Sequence, residues 1–218
     1  MAEKYYGVNT YSYCAGNPII NSDPNGSDVW EVNQSGEIIN SIKDKTQDTF
    51  ILIDEKGNQI SSVSFNYGTV IKAINNDRIK GYVFKISSFL LSNVEDGATL
   101  FKFFADNTKT EFGLITMRNE TSLVMTNHKT NSIPVGLKAK ELVQKWATRV
   151  NLIIHNHPLD TDPSGFKNSK NTGDRKSANY VKHAIFYVYK PGKGVLMQYD
   201  AKQLYVEEKK WETVFPYK

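Results

Sequence analysis

Cysteine is nearly absent from this chain of 218 residues: Cys14 is the only one, so an intramolecular disulfide framework and a cysteine-based zinc finger are both excluded. Any metal site must be built from histidine and carboxylates. Histidine is scarce too, with four in all, and two of them fall in one tetrapeptide, His155-Asn156-His157-Pro158. Long apolar runs are missing; the longest, Ala184 to Tyr189, is far too short to cross a membrane as a helix. Charge of one sign does not dominate, since 27 basic residues face 23 acidic ones for a net charge of +4. That balance is at most a weak hint of nucleic-acid binding. Met1 to Gly7 lacks the basic start and apolar stretch of an export signal, so no address is expected in this piece. There is no Gly-x-Gly-x-x-Gly, no Walker lysine motif, no His-Glu-x-x-His helix and no nucleophile elbow. An HNH nuclease motif is also excluded, because its residues are spread over a hairpin and a helix rather than adjacent as in His155-Asn156-His157.

What is present is 39% hydrophobic and 23% charged residues, the make-up of a globular chain able to bury a core. Residues 1–26 stand apart: Tyr5, Tyr6, Tyr11 and Tyr13 crowd beside the turn formers Asn17-Pro18 and Asp23-Pro24-Asn25-Gly26. Asn9 to Gly26 resembles the closing segment of the Rhs/YD-repeat core of bacterial polymorphic toxins. In that family a variable effector domain follows the segment, and the resemblance implies that the chain from about residue 27 is such a payload.

Residues 27–94 read as a β-rich part, a small β-meander with strands at Val29–Val32, Glu37–Ile39, Thr49–Ile53 and Gln59–Val63. Gln34-Ser35-Gly36 and Asp54 to Asn58 are the expected hairpin connections. From residue 95 to 218 the pattern is that of an α/β layered domain. Residues 95–106 form a helix with Leu100, Phe103 and Phe104 on one face. The strand Glu111–Met117 turns through Arg118-Asn119 into Ser122–Thr126, and a helix Leu137–Arg149 turns Leu142, Val143 and Trp146 inward. Val150–Ile154 is a buried strand leading into the histidine pair. A polar loop reaches Gly173, Asp174 opens a helix to about His183, and Ala184–Tyr189 is a core strand carrying Ile185 and Val188. Trp211 and Phe215 pack a last helix onto the body. His128 is expected in an exposed turn, and His183 at a helix end near the terminal carbonyls.

The chemistry starts from strand geometry. Residues two apart on a strand share a face, so His155 and His157 can converge on one ion, whereas on a helix they would diverge. A catalytic zinc commonly takes three protein ligands and leaves one position open. Asp174, at a helix start beyond a flexible loop, is the chosen third ligand, with Asp160 and Asp162 as rivals. A nucleophilic water needs a base, and Glu111 is best placed, with Glu120 as the alternative. The competing readings are a turn-capping histidine pair, Asp174 as a plain helix cap, and Glu111 as a solvated strand-end carboxylate.

Glu111-Phe-Gly-Leu-Ile115, the apolar strand with His155-x-His157-Pro158, the loop with Pro163-Ser164, Asp174 and the strand Ile185-Phe-Tyr-Val-Tyr189 together resemble the JAB/MPN (JAMM) metallopeptidase family over residues 95 to 191. The fold class implied is a JAB/MPN-like (cytidine-deaminase-like) layered α/β (α+β) domain. The resemblance implies Zn2+ held by His155, His157 and Asp174, and Glu111 as general acid/base. The family's Asp would fall at Asn168, so Asp174 requires a loop six residues longer. Its oxyanion serine would fall at Asn171, with Ser169 and Thr172 nearby; Asn171 or Ser169 is the expected donor.

The expected function is a zinc metallopeptidase or isopeptidase toxin domain, secreted or at the cell surface as part of a larger Rhs protein and acting in a target cell. Expected partners are a protein or peptide substrate, the rest of the Rhs core and a cognate immunity protein. The alternatives are a catalytically silent JAB/MPN-like binding module and, more weakly, a nuclease toxin.

Overall fold

The computed structural model describes residues 28–42, 47–82, 85–146, 149–166 and 172–216. The Rhs-like segment of residues 1–26 lies outside them, as do Ser169 and Asn171 and the side chain of Trp146.

Four strands form a small sheet: β1 (Asp28–Asn33), β2 (Ile38–Ile42), β3 (Gln47–Ile53) and β4 (Gln59–Asn66). The expected turns are there. Asn33 accepts from the amides of Ser35 and Glu37 through its side chain, and Asp54 does the same for Lys56 and Asn58. The order, however, is β2-β1-β3-β4, with β1 and β3 parallel, so the sheet is not the expected meander. Alternation of side chains fixes which face a strand buries and leaves its neighbour open. Trp30, Val32, Phe50, Leu52 and Phe65 all point inward.

The large sheet has eight strands in the order β12-β11-β10-β9-β7-β8-β6-β5. They are β5 (Val70–Asp77), β6 (Ile86–Leu91), β7 (Phe112–Met117), β8 (Ser122–Thr126), β9 (Val150–Asn156), β10 (Ile185–Lys190), β11 (Val195–Tyr199) and β12 (Leu204–Lys210). β9 sits near the middle, parallel to β10 and antiparallel to β7. Residues 70–91, read from sequence with the N-terminal β-rich part, pair into this sheet through β8.

Helix α1 (Val94–Asn107) begins at Asn93, whose side chain accepts from the Asp96 amide. It lies on one face with Leu100, Phe101 and Phe104 buried, while Phe103 is only partly covered. A side chain at Gly97 would meet Ser122 Oγ at 1.9 Å, so only glycine lets α1 approach β8 this closely. Phe104 stacks on Phe112 at 4.6 Å and meets Phe50 of the small sheet edge-on at 5.8 Å, joining the two sheets through α1. The other face carries α2 (Val135–Trp146), where Val135, Ala139 and Leu142 pack against Ile115, Ile153 and Val188. The helices α3 (Gly173–Ala178) and α4 (Trp211–Val214) complete the domain, and Trp211 and Phe215 are buried in the α1-side core as expected.

Several expectations need correction. Val143 is 37% exposed because the buried stripe of α2 runs through Val135, Ala139 and Leu142 and leaves it at the margin. Ile185 is 48% exposed at the start of β10, and α3 ends at Ala178, well short of His183. His128 is half-buried rather than exposed: its Nδ1 lies 2.9 Å from the Ser35 carbonyl and its Nε2 3.3 Å from Ser87 Oγ, so it links the sheets. Among the described residues no helix is long and apolar enough to cross a membrane.

Candidate metal centre

The sheet order creates the site. Strand β9 ends between two neighbours: Gly113 pairs with His155 on one side and Tyr189 with Asn156 on the other. Odd-numbered residues of β9 and β7 face α2, so His155 and Glu111 look into the same side of the sheet. His155, His157 and Glu111 are all buried, an unusual state for such groups without partners.

Asp174 reaches this place across the lengthened loop because the base of the loop is pinned. The Ser164 amide donates to Asp174 Oδ2 at 2.6 Å, and the Asp174 amide donates to Ser164 Oγ at 3.0 Å. Gly173 adopts φ +53°, and a side chain there would strike Ser164 Oγ. Asp174 thus lies in the first turn of α3 without serving as its cap; the helix starts after Thr172. Ser164 as the clamp of Asp174 was not foreseen from sequence, and its only signal there is a serine next to a proline in a polar loop.

Three side chains converge. His155 Nε2 is 3.2 Å from His157 Nε2 and 3.0 Å from Asp174 Oδ1, and His157 Nε2 is 3.4 Å from Asp174 Oδ2. Donors of a tetrahedral ion bound at about 2.0–2.2 Å lie about 3.3–3.6 Å apart, so these spacings, two of them shorter and the two to Asp174 reaching different carboxylate oxygens, are close to those of donors gathered around one ion. His157 Nδ1 faces the Thr161 carbonyl at 3.0 Å, which puts the proton of the neutral ring on Nδ1 and leaves Nε2 as a lone-pair donor. The cluster His155, His157 and Asp174 can therefore hold a metal ion.

The rival carboxylates are engaged elsewhere. Asp160 accepts from the Gly192 amide, and Asp162 accepts from Lys190 Nζ at 2.7 Å. Lys190, itself buried, also reaches Glu208, and it ties the turn after His157 to β10 and β12. Glu120 is exposed in the β7–β8 turn, at the far end of β7 from the histidines. His183 is exposed outside the cluster.

Electrostatics set the groups apart. Burial opposes the charge on Asp174, but the charges and hydrogen bonds of His155 and His157 outweigh it and hold its carboxyl far below the usual range. Burial also opposes the charge on His157, and the hydrogen bond and charge of Asp174 outweigh it, so that ring titrates above an ordinary imidazole. Glu111 moves the other way: burial, with a smaller push from Asp174, raises it despite the two histidines. A carboxyl raised by burial thus sits beside a depressed one, two environments that push their titrations apart.

A cleft of about 830 Å³ opens onto these groups, lined by Glu111, His157 and Asp174, by the 130–133 segment and by the 157–165 turn. Leu159 at its rim is 85% exposed. Every charged side chain that lines it among the described residues is acidic, apart from the ring of His157.

Residues 89–179 match the family model described as JAB-like toxin 1, a stretch that contains Glu111, both histidines and Asp174. That match supports a JAB-like toxin domain. No curated protein and no solved structure matches the chain.

Proposed function

We propose that this domain is a zinc-dependent hydrolase of peptide or isopeptide bonds, acting as the effector of an Rhs-type polymorphic toxin. The observation that carries the reading is the convergence of His155 Nε2, His157 Nε2 and the Asp174 carboxylate beside a buried Glu111, at a cleft that Glu111, His157 and Asp174 line. Zinc, once bound, would polarise the scissile carbonyl and lower the pKa of a water molecule. Glu111 takes the proton of that water and returns it to the leaving amine, a role suited to a carboxyl raised by burial. Asn171 or Ser169 is the proposed donor to the oxyanion, and among the described residues the Ser164 hydroxyl also lines the cleft.

A polypeptide suits the cleft better than a phosphodiester. Its rim offers Pro158, Leu159 and Ile133, apolar surface for side chains, beside Asp160 and Asp162, and among the described residues none that line it is a lysine or arginine that would attract a polyanion. The tyrosine- and asparagine-rich segment at residues 9–26 supports the Rhs assignment. A cognate immunity protein is the partner proposed with it. The test is cleavage of peptide and isopeptide-linked libraries by zinc-loaded protein, read by mass spectrometry. Cleavage abolished by a chelator and restored by zinc is expected; zinc-loaded protein that cleaves nothing overturns the reading.

A further inference from the structure

Asn156 lies between the two histidines and points to the opposite face of β9, toward α1, so it cannot join them on an ion. It is fully buried, yet neither end of its amide is idle. Its Oδ1 accepts from the Phe112 amide at 2.6 Å, and its Nδ2 donates to the Thr110 carbonyl at 3.1 Å. Those two backbone groups flank Glu111. The backbone ladder between β7 and β9 ends at the pair Gly113 and His155, and beyond it the Asn156 side chain takes over. Glu111 is held from its own backbone as well, its amide donating to the Lys129 carbonyl and its carbonyl accepting from Thr126 Oγ1, both at 2.8 Å. The latter two bonds tie Glu111 to β8 and the segment after it; beyond the Gly113–His155 pair, the Asn156 side chain ties the residues on either side of Glu111 to the strand that bears the histidines.

We infer that Asn156 is the positioning residue that sets Glu111 at its working distance from the His155–His157–Asp174 cluster. This rests on the assignment of Glu111 as the base. The strand that carries two ligands thereby also fixes the base, so metal and base move together as one rigid unit. A side chain of this length with an acceptor and a donor at its tip is required, because the span is closed from both ends at once. Aspartate keeps the acceptor for Phe112, and alanine keeps neither.

The test compares wild type, Asn156→Ala, Asn156→Asp, Glu111→Gln and the double variant Asn156→Ala/Glu111→Gln, each loaded with zinc. Amide hydrogen exchange by NMR should show the Phe112 amide of Asn156→Ala opening at least about tenfold faster, with Leu114 and Ile115 unchanged. Zinc content should stay at the wild-type level. On a peptide that wild type cleaves, kcat should fall about 10- to 100-fold with KM within about twofold, the effect of a misplaced catalytic group. Asn156→Asp should fall between wild type and Asn156→Ala, and it carries the comparison should the alanine variant fail to fold. In the Glu111→Gln background, Asn156→Ala should change kcat by less than about twofold, since its effect passes through Glu111. Full additivity of the two substitutions, or kcat unchanged in both Asn156 variants while Glu111→Gln is impaired, overturns this inference alone. Wild type that cleaves nothing overturns the hydrolase reading and this one with it.

Discussion

Glu111→Gln separates chemistry from metal binding and from stability in a single substitution. The side chain keeps its shape and loses only its ability to take a proton. It is 5% exposed, and its carboxyl is raised chiefly by burial, so the ionised form is less favoured in the folded chain than in the unfolded one. A raised native pKa means that Glu111 supports the fold below its unfolded value and loses that support as pH rises through the native one. The neutral amide does not suffer this loss, and the variant is expected to melt at or above the wild-type temperature at pH 8. Zinc content should be unchanged, because the three converging donors do not include Glu111. Removal of a general base costs about 10²- to 10⁴-fold, or about 3–5 kcal/mol of barrier. The assay is turnover of a quenched peptide substrate beside thermal melting and metal analysis of the same preparation. Turnover within threefold of wild type would refute the role, and loss of zinc would place Glu111 among the ligands.

The metal-free protein should show an inverted pH response. Asp174 contributes stability above the unfolded carboxylate value of about 4, and His157 contributes below about 6.5 and ceases as pH rises through its raised native value. Zinc needs both rings unprotonated, so the zinc-induced rise in Tm should grow between about pH 5.5 and pH 8 in calorimetry; a shift independent of pH contradicts the ligand set. Phe104→Ala should cost about 3–5 kcal/mol in urea titration, since Phe104 is fully buried and joins α1, β7 and the small sheet; a loss under about 1.5 kcal/mol would refute that bridging role.

The parts of this fold legible in the sequence are those governed by short-range pattern. Val150 to Ile154 is a strand because it is apolar and β-branched, and the two-residue repeat alone puts His155 and His157 on one face. The helix over residues 95–106 follows from its apolar stripe. Strands β5 and β12 escaped notice because each lies at an edge of the large sheet and carries Lys, Glu, Asn or Asp along much of its length. Nearness in sequence favoured Asp160 and Asp162, while its place at a helix start beyond a flexible loop favoured Asp174. What separates them is the Ser164 clamp and the bonds to Gly192 and Lys190, contacts between elements that no local pattern encodes. Asn156 was invisible for the same reason: its partners lie on β7, and only the register of β7 with β9 brings them opposite.

The central claim is tested most directly by the zinc content of protein purified without chelator, measured by inductively coupled plasma mass spectrometry beside His155→Ala and Asp174→Ala. The account predicts about one zinc per chain in wild type and near none in either variant, as expected when one of three protein ligands is lost. Wild type that stays empty after incubation with zinc, or variants that keep a full complement, would contradict it.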